Sequence, residues 1–147
     1  MIVRPMINSV IHPAMEFHWP LRVYIEDTDA GGIVFYVNYL KYMERARTEF
    51  MRVYGYGKAA IFSSELMFVV RSVNVDYRAP ALLDDELIAT ARIVEHRAAQ
   101  LTFEQRILRG AEIVCDARVN IVSVDKQTLK PRRIPEDLLN ALNVAPS

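Results

Sequence analysis

Residues 21–54 read LRVYIEDTDAGGIVFYVNYLKYMERARTEFMRVY, and two apolar periods meet inside that stretch. Leu21, Val23 and Ile25 alternate with Arg22, Tyr24 and Glu26, which predicts a half-buried strand over residues 21–26. Further on, Tyr36, Tyr39, Leu40, Met43, Ala46, Phe50 and Tyr54 recur at helical spacing, with Lys41, Glu44, Arg45 and Arg52 around the rest of the axis. Asn38 is the predicted N-cap, and Gly55 and Gly57 stop the helix. Between the two periods lies Asp27-Thr28-Asp29-Ala30-Gly31-Gly32, a breaker run holding two of the five glycines.

Downstream, alternation returns at Val73, Val75 and Tyr77, then at Leu87, Ala89, Ala91 and Ile93. Leu101, Phe103, Gln105 and Ile107 follow, and then Ile113, Cys115, Ala117, Val119 and Ile121. Segments 78–85, 96–100 and 109–111 are short, so each is expected to join antiparallel neighbours. A Pro-bounded tail over residues 131–142 is expected to end in a short helix with Pro135 in its first turn. Residues 1–18, with Pro5 and Pro13, read as a loose extension, residues 19–142 as one domain and residues 143–147 as a flexible tail. The order is strand, long helix, four strands: an α+β chain with one helix covering one face of a five-stranded antiparallel sheet. The other face still carries Val70, Ile88, Val94, Leu108, Val114 and Val122 among its polar residues, and a homodimer joined edge to edge or face to face would shelter them.

The 147 residues suit a single domain, and 18 basic against 18 acidic residues give no field for nucleic acid or anionic lipid. A lone Cys115 excludes an internal disulfide framework, and His12, His18 and His96 show no metal-ligand spacing. No apolar run is long enough to span a bilayer and no signal-peptide pattern is present, so a cytoplasmic protein is expected, without cofactor.

Asp29 lies in the glycine-rich turn just ahead of the helix, where backbone amides of residues 31–36 are expected to point unpaired at whatever docks there. Such amides can hold a carbonyl oxygen that gains charge while a carboxylate acts as nucleophile or as base for water, the parts of an acyl-transfer site. The spacing alone favours a plain turn, with Asp27, Thr28 and Asp29 as turn formers and the glycines supplying positive φ.

The whole segment 26–40, running into Met43-Glu44-Arg45-Ala46-Arg47-Thr48-Glu49, resembles the signature of the 4-hydroxybenzoyl-CoA thioesterase family, most of all its acyl-CoA thioesterase branch associated with the Tol-Pal system. The resemblance continues through Phe68-Val69-Val70-Arg71, Tyr77, Ala79-Pro80 and Asp84-Asp85 to Lys130-Pro131-Arg132. It implies a hotdog fold, a helix wrapped by a curved antiparallel sheet, in a homodimer or a dimer of dimers (homotetramer) with sites at the subunit interface. It further implies acyl-CoA as substrate and Asp29 as the catalytic carboxylate. The Tyr36 amide becomes the carbonyl-polarising donor, with Gly32, Ile33 and Val34 completing the oxyanion and substrate-binding loop. Many members of the Tol-Pal branch carry His where this chain has Tyr36, whereas 4-hydroxybenzoyl-CoA thioesterases carry Tyr. A phenol with the usual pKa of about 10 is no base near neutrality, which leaves the reaction to the carboxylate.

The family also implies cations for the CoA phosphates: Arg97 in a hairpin turn, then Arg132 and Arg133 after the last strand, each otherwise an exposed turn charge. Asp27 reads as a residue that holds the loop, and Glu44 and Glu49 as ion-pair partners of Arg47 and Arg45 with a lesser chance of catalysis. Pocket depth would be set by Phe35, Tyr39, Phe62 and Met67. Gly55-Tyr56-Gly57-Lys58-Ala59 lacks the third glycine of a dinucleotide loop and the GK[ST] ending of a phosphate loop, and no G-x-S-x-G elbow occurs. Two other readings stay open: a hotdog dehydratase, for which the usual loop His is missing, and a non-catalytic module binding acyl thioesters or acyl carrier protein.

Overall fold

The computed structural model describes residues 16–55 and 65–142. Strand β1 is Phe17–Arg22, followed by a 3-10 turn at Ile25–Asp27 and helix α1 at Val37–Tyr54. Then come β2 (Leu66–Tyr77), β3 (Glu86–Arg97), β4 (Gln100–Arg109), β5 (Glu112–Asp125) and a short α2 (Glu136–Ala141), with Pro135 capping α2. The five strands form one antiparallel sheet in the order β1-β3-β4-β5-β2. This is the expected α+β architecture. The N-terminal extension up to residue 15, the stop at Gly57, Phe62 and the tail from residue 143 lie outside the described residues.

Helix α1 buries Tyr39, Tyr42, Met43, Ala46, Phe50 and Met51 against Leu87, Ala89, Ala91, Leu101, Phe103 and Ile107 of the sheet. Small Ala46, Ala89 and Ala91 let the helix sit close, while Phe50 meets Phe103 edge-on at 5.3 Å. Burying the Phe50 side chain contributes roughly 2–3 kcal/mol. Helix and sheet are joined at a fully buried hub, where Gln105 Nε2 donates to the Met43 carbonyl at 2.9 Å and the Thr90 carbonyl at 3.0 Å.

Several expectations are corrected. The first strand lies at Phe17–Arg22 instead of residues 21–26, because the backbone tightens into the 3-10 turn where Asp27 Oδ2 accepts the Tyr24 amide. Order therefore begins ahead of Trp19. Asn38 does not cap α1: it is buried within the first turn, and its Nδ2 donates to the Asp27 carbonyl at 2.9 Å. Segment 78–85 is no hairpin turn, since β2 pairs β5 at one edge while β3 pairs β1 near the other. The segment instead crosses the sheet end and docks under the glycine loop. The expected pairs Glu44–Arg47 and Arg45–Glu49 are replaced: Glu49 takes Arg52 at 2.9 Å, Arg47 donates to Gln105 Oε1 at 2.9 Å and Arg45 stacks over the Tyr42 ring.

The outer sheet face mixes apolar and polar side chains, with Val94 exposed, but two of the six expected apolar residues are covered within the protomer. Val114 is fully buried at a bulge, its carbonyl taken by the Arg78 and Ala79 amides, and Val122 is buried beside Ser123, to which the segment leading into α2 is bonded. Its polar side chains include the pairs Arg92–Glu104, Arg78–Asp116 and Arg106–Glu16. Exposed apolar side chains gather along β2, Val70 of the expected set among them: Val69, Val70, Val73 and Tyr77, with Ile33, Phe35, Tyr36 and Leu82 beside its C-terminal end. The two sheet edges also differ. β1 has 6 residues and contains Pro20, which lacks a donor, whereas β2 has 12 residues and no proline.

Candidate active site

The glycine loop is held by its own backbone. Asp29 N–H donates to the Ile33 carbonyl at 2.9 Å and Gly32 N–H to the Asp29 carbonyl at 3.1 Å, closing a turn that needs Gly32 at φ +79°. The crossing segment fixes the loop from below: Val34 N–H donates to the Ala81 carbonyl at 2.9 Å and Leu83 N–H to the Gly32 carbonyl at 3.0 Å. Ala81 in turn donates its N–H to the buried Tyr39 hydroxyl at 3.0 Å. The far end of that segment is clamped by Arg109, which reaches Asp85 at 2.6 Å, Glu112 at 2.8 Å and the Pro80 carbonyl at 3.1 Å. Burial pushes the Asp85 carboxyl up, but the Leu82 amide and the Arg109 cation outweigh it and hold the group below its usual range.

Asp29 is exposed at the mouth of this loop. Its Oδ1 accepts the Gly31 amide at 2.8 Å and the Ile33 amide at 3.4 Å, a side-chain turn that leaves Oδ2 without a partner among the described residues. Three of the four expected oxyanion donors are thereby corrected: the amides of Gly32, Ile33 and Val34 bond within the loop or to Ala81 and cannot serve an incoming oxygen. The Phe35 amide is also taken, by the Asp27 carbonyl at 2.9 Å. Tyr36, where α1 begins, keeps an amide with no hydrogen bond among the described residues. The loop thus presents one open carboxylate oxygen and one open amide at a helix start, a pairing suited to attack on a carbonyl.

Aromatic rings wall this mouth. Tyr36 meets Phe35 at 5.1 Å and Tyr77 edge-on at 5.9 Å, and Tyr77 meets Tyr39 at 5.8 Å. Burial pushes the Tyr39 and Tyr77 hydroxyls above the usual tyrosine range, so both stay protonated near neutrality. Asp27 is buried and acts as the loop's anchor: its carbonyl accepts both Phe35 N–H and Asn38 Nδ2. The buried Tyr42 hydroxyl approaches its carboxylate without the alignment of a regular hydrogen bond, and burial with that neighbour pushes the phenol far up.

Arg97 and Arg132 are not beside Asp29 in one protomer. The loop packs on residues 81–83, at the start of β3, whereas Arg97 closes β3 eleven residues on, a run of ~36 Å at strand rise. Arg132 is engaged with Glu65 at 2.9 Å and Asp125 at 3.1 Å. Arg133 has no hydrogen bond or ion pair among the described residues. At the same distant end a cavity of about 390 Å³ opens between α1 and β2, lined by Glu44, Arg47, Thr48, Met51, Met67 and Phe68 among others. Of the residues expected to set pocket depth, Met67 lines this cavity and Phe35 and Tyr39 do not, because the cavity depends on how β2 lies along the helix. A larger concavity, of about 680 Å³, lies on the outer sheet face away from Asp29. No group of three or more metal-ligating side chains occurs among the described residues, and no described helix is long and apolar enough to cross a membrane.

One long helix against a five-stranded antiparallel sheet is the architecture of the hotdog thioesterases. The chain belongs to the thioesterase-like superfamily, whose family model matches residues 23–142. It is 42% identical over 124 residues to the Escherichia coli acyl-CoA thioester hydrolase YbgC, covering 84% of this chain and 92% of that protein. It is 38% identical over 128 residues to the Haemophilus influenzae acyl-CoA thioesterase YbgC, covering 86% and 94%. Among solved structures, a probable thioesterase from Bartonella henselae superposes with a TM-score of 0.75 at 34% identity, over 82% of this chain and all of that one.

Proposed function

We propose that this chain hydrolyses acyl-CoA thioesters to free acid and CoA, with Asp29 as nucleophile or general base and the Tyr36 amide as the oxyanion donor. The observation that carries this reading is the paired opening at the loop: Asp29 Oδ2 and the Tyr36 N–H are both unengaged while the neighbouring amides are bonded. In the nucleophile route, Oδ2 attacks the thioester carbon, the carbonyl oxygen becomes an oxyanion at the Tyr36 amide, and CoA leaves as a thiolate that takes a proton. Water then opens the mixed anhydride. In the general-base route, Oδ2 takes a proton from water, which attacks directly. The buried Asp27 positions the carboxylate in either case.

The working unit we infer is a homodimer joined through the β2 edges. A twelve-residue edge strand with exposed Val69, Val70 and Val73 and no proline invites pairing. Antiparallel pairing about a twofold axis reverses the strand, so the Tyr77 end of one copy meets the Leu66 end of the other. That brings one copy's Asp29 toward the second copy's α1–β2 cavity and β3–β4 hairpin, uniting an acyl pocket and Arg97 with the carboxylate. A second dimer layer, acyl carrier protein as acyl donor and a cytoplasmic location fit this reading equally well.

Thiol release from CoA thioesters of short, long and aromatic acids tests the activity. A single turnover in ¹⁸O-water bears on the route. Label in Asp29 with unlabelled oxygen in the first acid released marks a mixed anhydride opened at the Asp29 carbonyl. Label in the acid marks water attack on the acyl carbon, either of the thioester or of the anhydride, and hydroxylamine capture of the Asp29 anhydride tells those two apart. No thiol release above buffer with any acyl class would leave a binding module as the better account.

A further inference from the structure

Five arginines are half-buried among the described residues, and four of them sit against a carboxylate. Arg92 meets Glu104, Arg106 meets Glu16 at 2.6 Å, Arg109 meets Asp85 at 2.6 Å and Arg132 meets Asp125 at 3.1 Å. Arg47, midway along α1, is the exception. Its one hydrogen bond among the described residues runs from Nη1 to Gln105 Oε1, a neutral acceptor, at 2.9 Å. Glu44, three residues back on the helix, does not pair with it. Gln105 is the reason: its Nε2 is committed to the Met43 and Thr90 carbonyls, which fixes its oxygen toward Arg47 and draws the guanidinium to the sheet. Burial pulls the Arg47 pKa below the usual arginine value, and the field of Glu44 only partly offsets that. A half-buried cation without its own anion costs stability.

Arg47 lies in the wall of the cavity of about 390 Å³ between α1 and β2, with Thr48 beside it. Met51, Met67, Phe68 and Phe103 make much of the remaining wall apolar. We propose that Arg47 selects acyl groups ending in a carboxylate, so that the preferred substrates are CoA thioesters of short dicarboxylic acids. The proposal rests on the acyl-pocket reading of this cavity. The apolar wall takes the methylene chain, and the carboxylate at its far end meets Arg47 Nε and Nη2, which have no hydrogen bond among the described residues. Those two nitrogens form the side-on fork that matches a planar carboxylate, and the Gln105 bond orients it before substrate arrives. The Thr48 hydroxyl adds a neutral donor. The volume is at the low end of small-molecule sites, which suits an acyl group of a few carbons. Glu44 borders the same cavity but is exposed, where water screens its charge.

The test compares adipoyl-CoA with hexanoyl-CoA and glutaryl-CoA with pentanoyl-CoA, pairs of equal carbon number that differ in the terminal carboxylate. Binding is measured by calorimetry on the full chain carrying Asp29→Asn, and kcat/KM on the wild type after subtracting spontaneous hydrolysis. Binding tighter by about tenfold or more is expected for the dicarboxylic member of each pair, with kcat/KM higher in the same proportion. Arg47→Met keeps the apolar stem and is expected to abolish the preference, with hexanoyl-CoA bound within a few-fold of the parent. Arg47→Lys keeps the charge without the fork and is expected to retain part of the preference. Equal binding of adipoyl-CoA and hexanoyl-CoA to the chain with Arg47 intact overturns the proposal, and needs no variant at Arg47 to fold. A preference that survives in Arg47→Met overturns it as well. Equal binding together with a shift to monomer in Glu44→Gln overturns it in favour of a neighbouring copy's carboxylate as the partner of Arg47. Binding needs no turnover, so a preference for the dicarboxylic thioesters without thiol release from any of them supports this site while the hydrolysis reading fails.

Discussion

Tyr39→Phe removes one oxygen from the floor beneath the glycine loop and nothing else. The Tyr39 hydroxyl accepts the Ala81 N–H at 3.0 Å, with Tyr39 4% and Ala81 0% exposed, so water does not readily replace it. The ring contacts to Tyr42 and Tyr77 survive the change. The loss is that of a buried donor left unpaired, about 1–3 kcal/mol. At ~4 °C per kcal/mol for a domain of this size, the thermal midpoint should fall by about 4–12 °C. Because the Ala81 carbonyl holds the Val34 amide, kcat should fall several-fold as the loop gains freedom, although Asp29 is untouched. Urea unfolding with an unchanged m value is the assay for stability. A difference below about 0.5 kcal/mol would refute the claim that this bond secures the crossing segment.

Gly32→Ala should cost about 1–2 kcal/mol through its φ of +79° alone, since nothing lies within 4 Å of the added methyl; denaturant midpoints check this. Burial pushes Asp85 up, but the Leu82 amide and Arg109 win, so its folded pKa lies below its unfolded value. Its stabilisation is therefore complete above the unfolded carboxylate pKa of ~4 and drains as pH falls through the folded value. Arg109→Ala should flatten the acid limb of stability below about pH 4, read as urea midpoints at pH 3 and pH 6. Val73→Lys on the open β2 edge should shift the protein to monomer in sedimentation and remove most hydrolysis, and an unchanged dimer would place the interface elsewhere.

The elements were legible in the sequence where period and burial agree. Met43, Ala46 and Phe50 announce the helix face, and Leu101, Phe103, Gln105 and Ile107 announce β4, down to the buried glutamine that alternation alone places inside. What escaped was set by contacts distant in sequence. Nothing local to residues 78–85 tells that β2 crosses to β5, because that follows from Ala81 docking under the helix start. Val114 is buried by a bulge that shifts register, which alternation cannot anticipate. At the site, the Asp-rich glycine turn was visible and so was Asp29. The engagement of the Gly32, Ile33 and Val34 amides was not, since each depends on a turn or a neighbour formed only on folding. The unpaired Arg47 escaped for the same reason: only the packing of α1 on the sheet brings Gln105 to it in place of Glu44.

Asp29→Asn is the sharpest probe of the active-site proposal. Asparagine keeps an oxygen for the Gly31 and Ile33 amides, so the loop holds its shape while the anionic Oδ2 is lost. With a CoA thioester that the wild type hydrolyses, kcat should drop about 100-fold or more, with KM within a few-fold and the thermal midpoint unchanged. A variant that retains more than about a tenth of the wild-type kcat would contradict a catalytic role for Asp29.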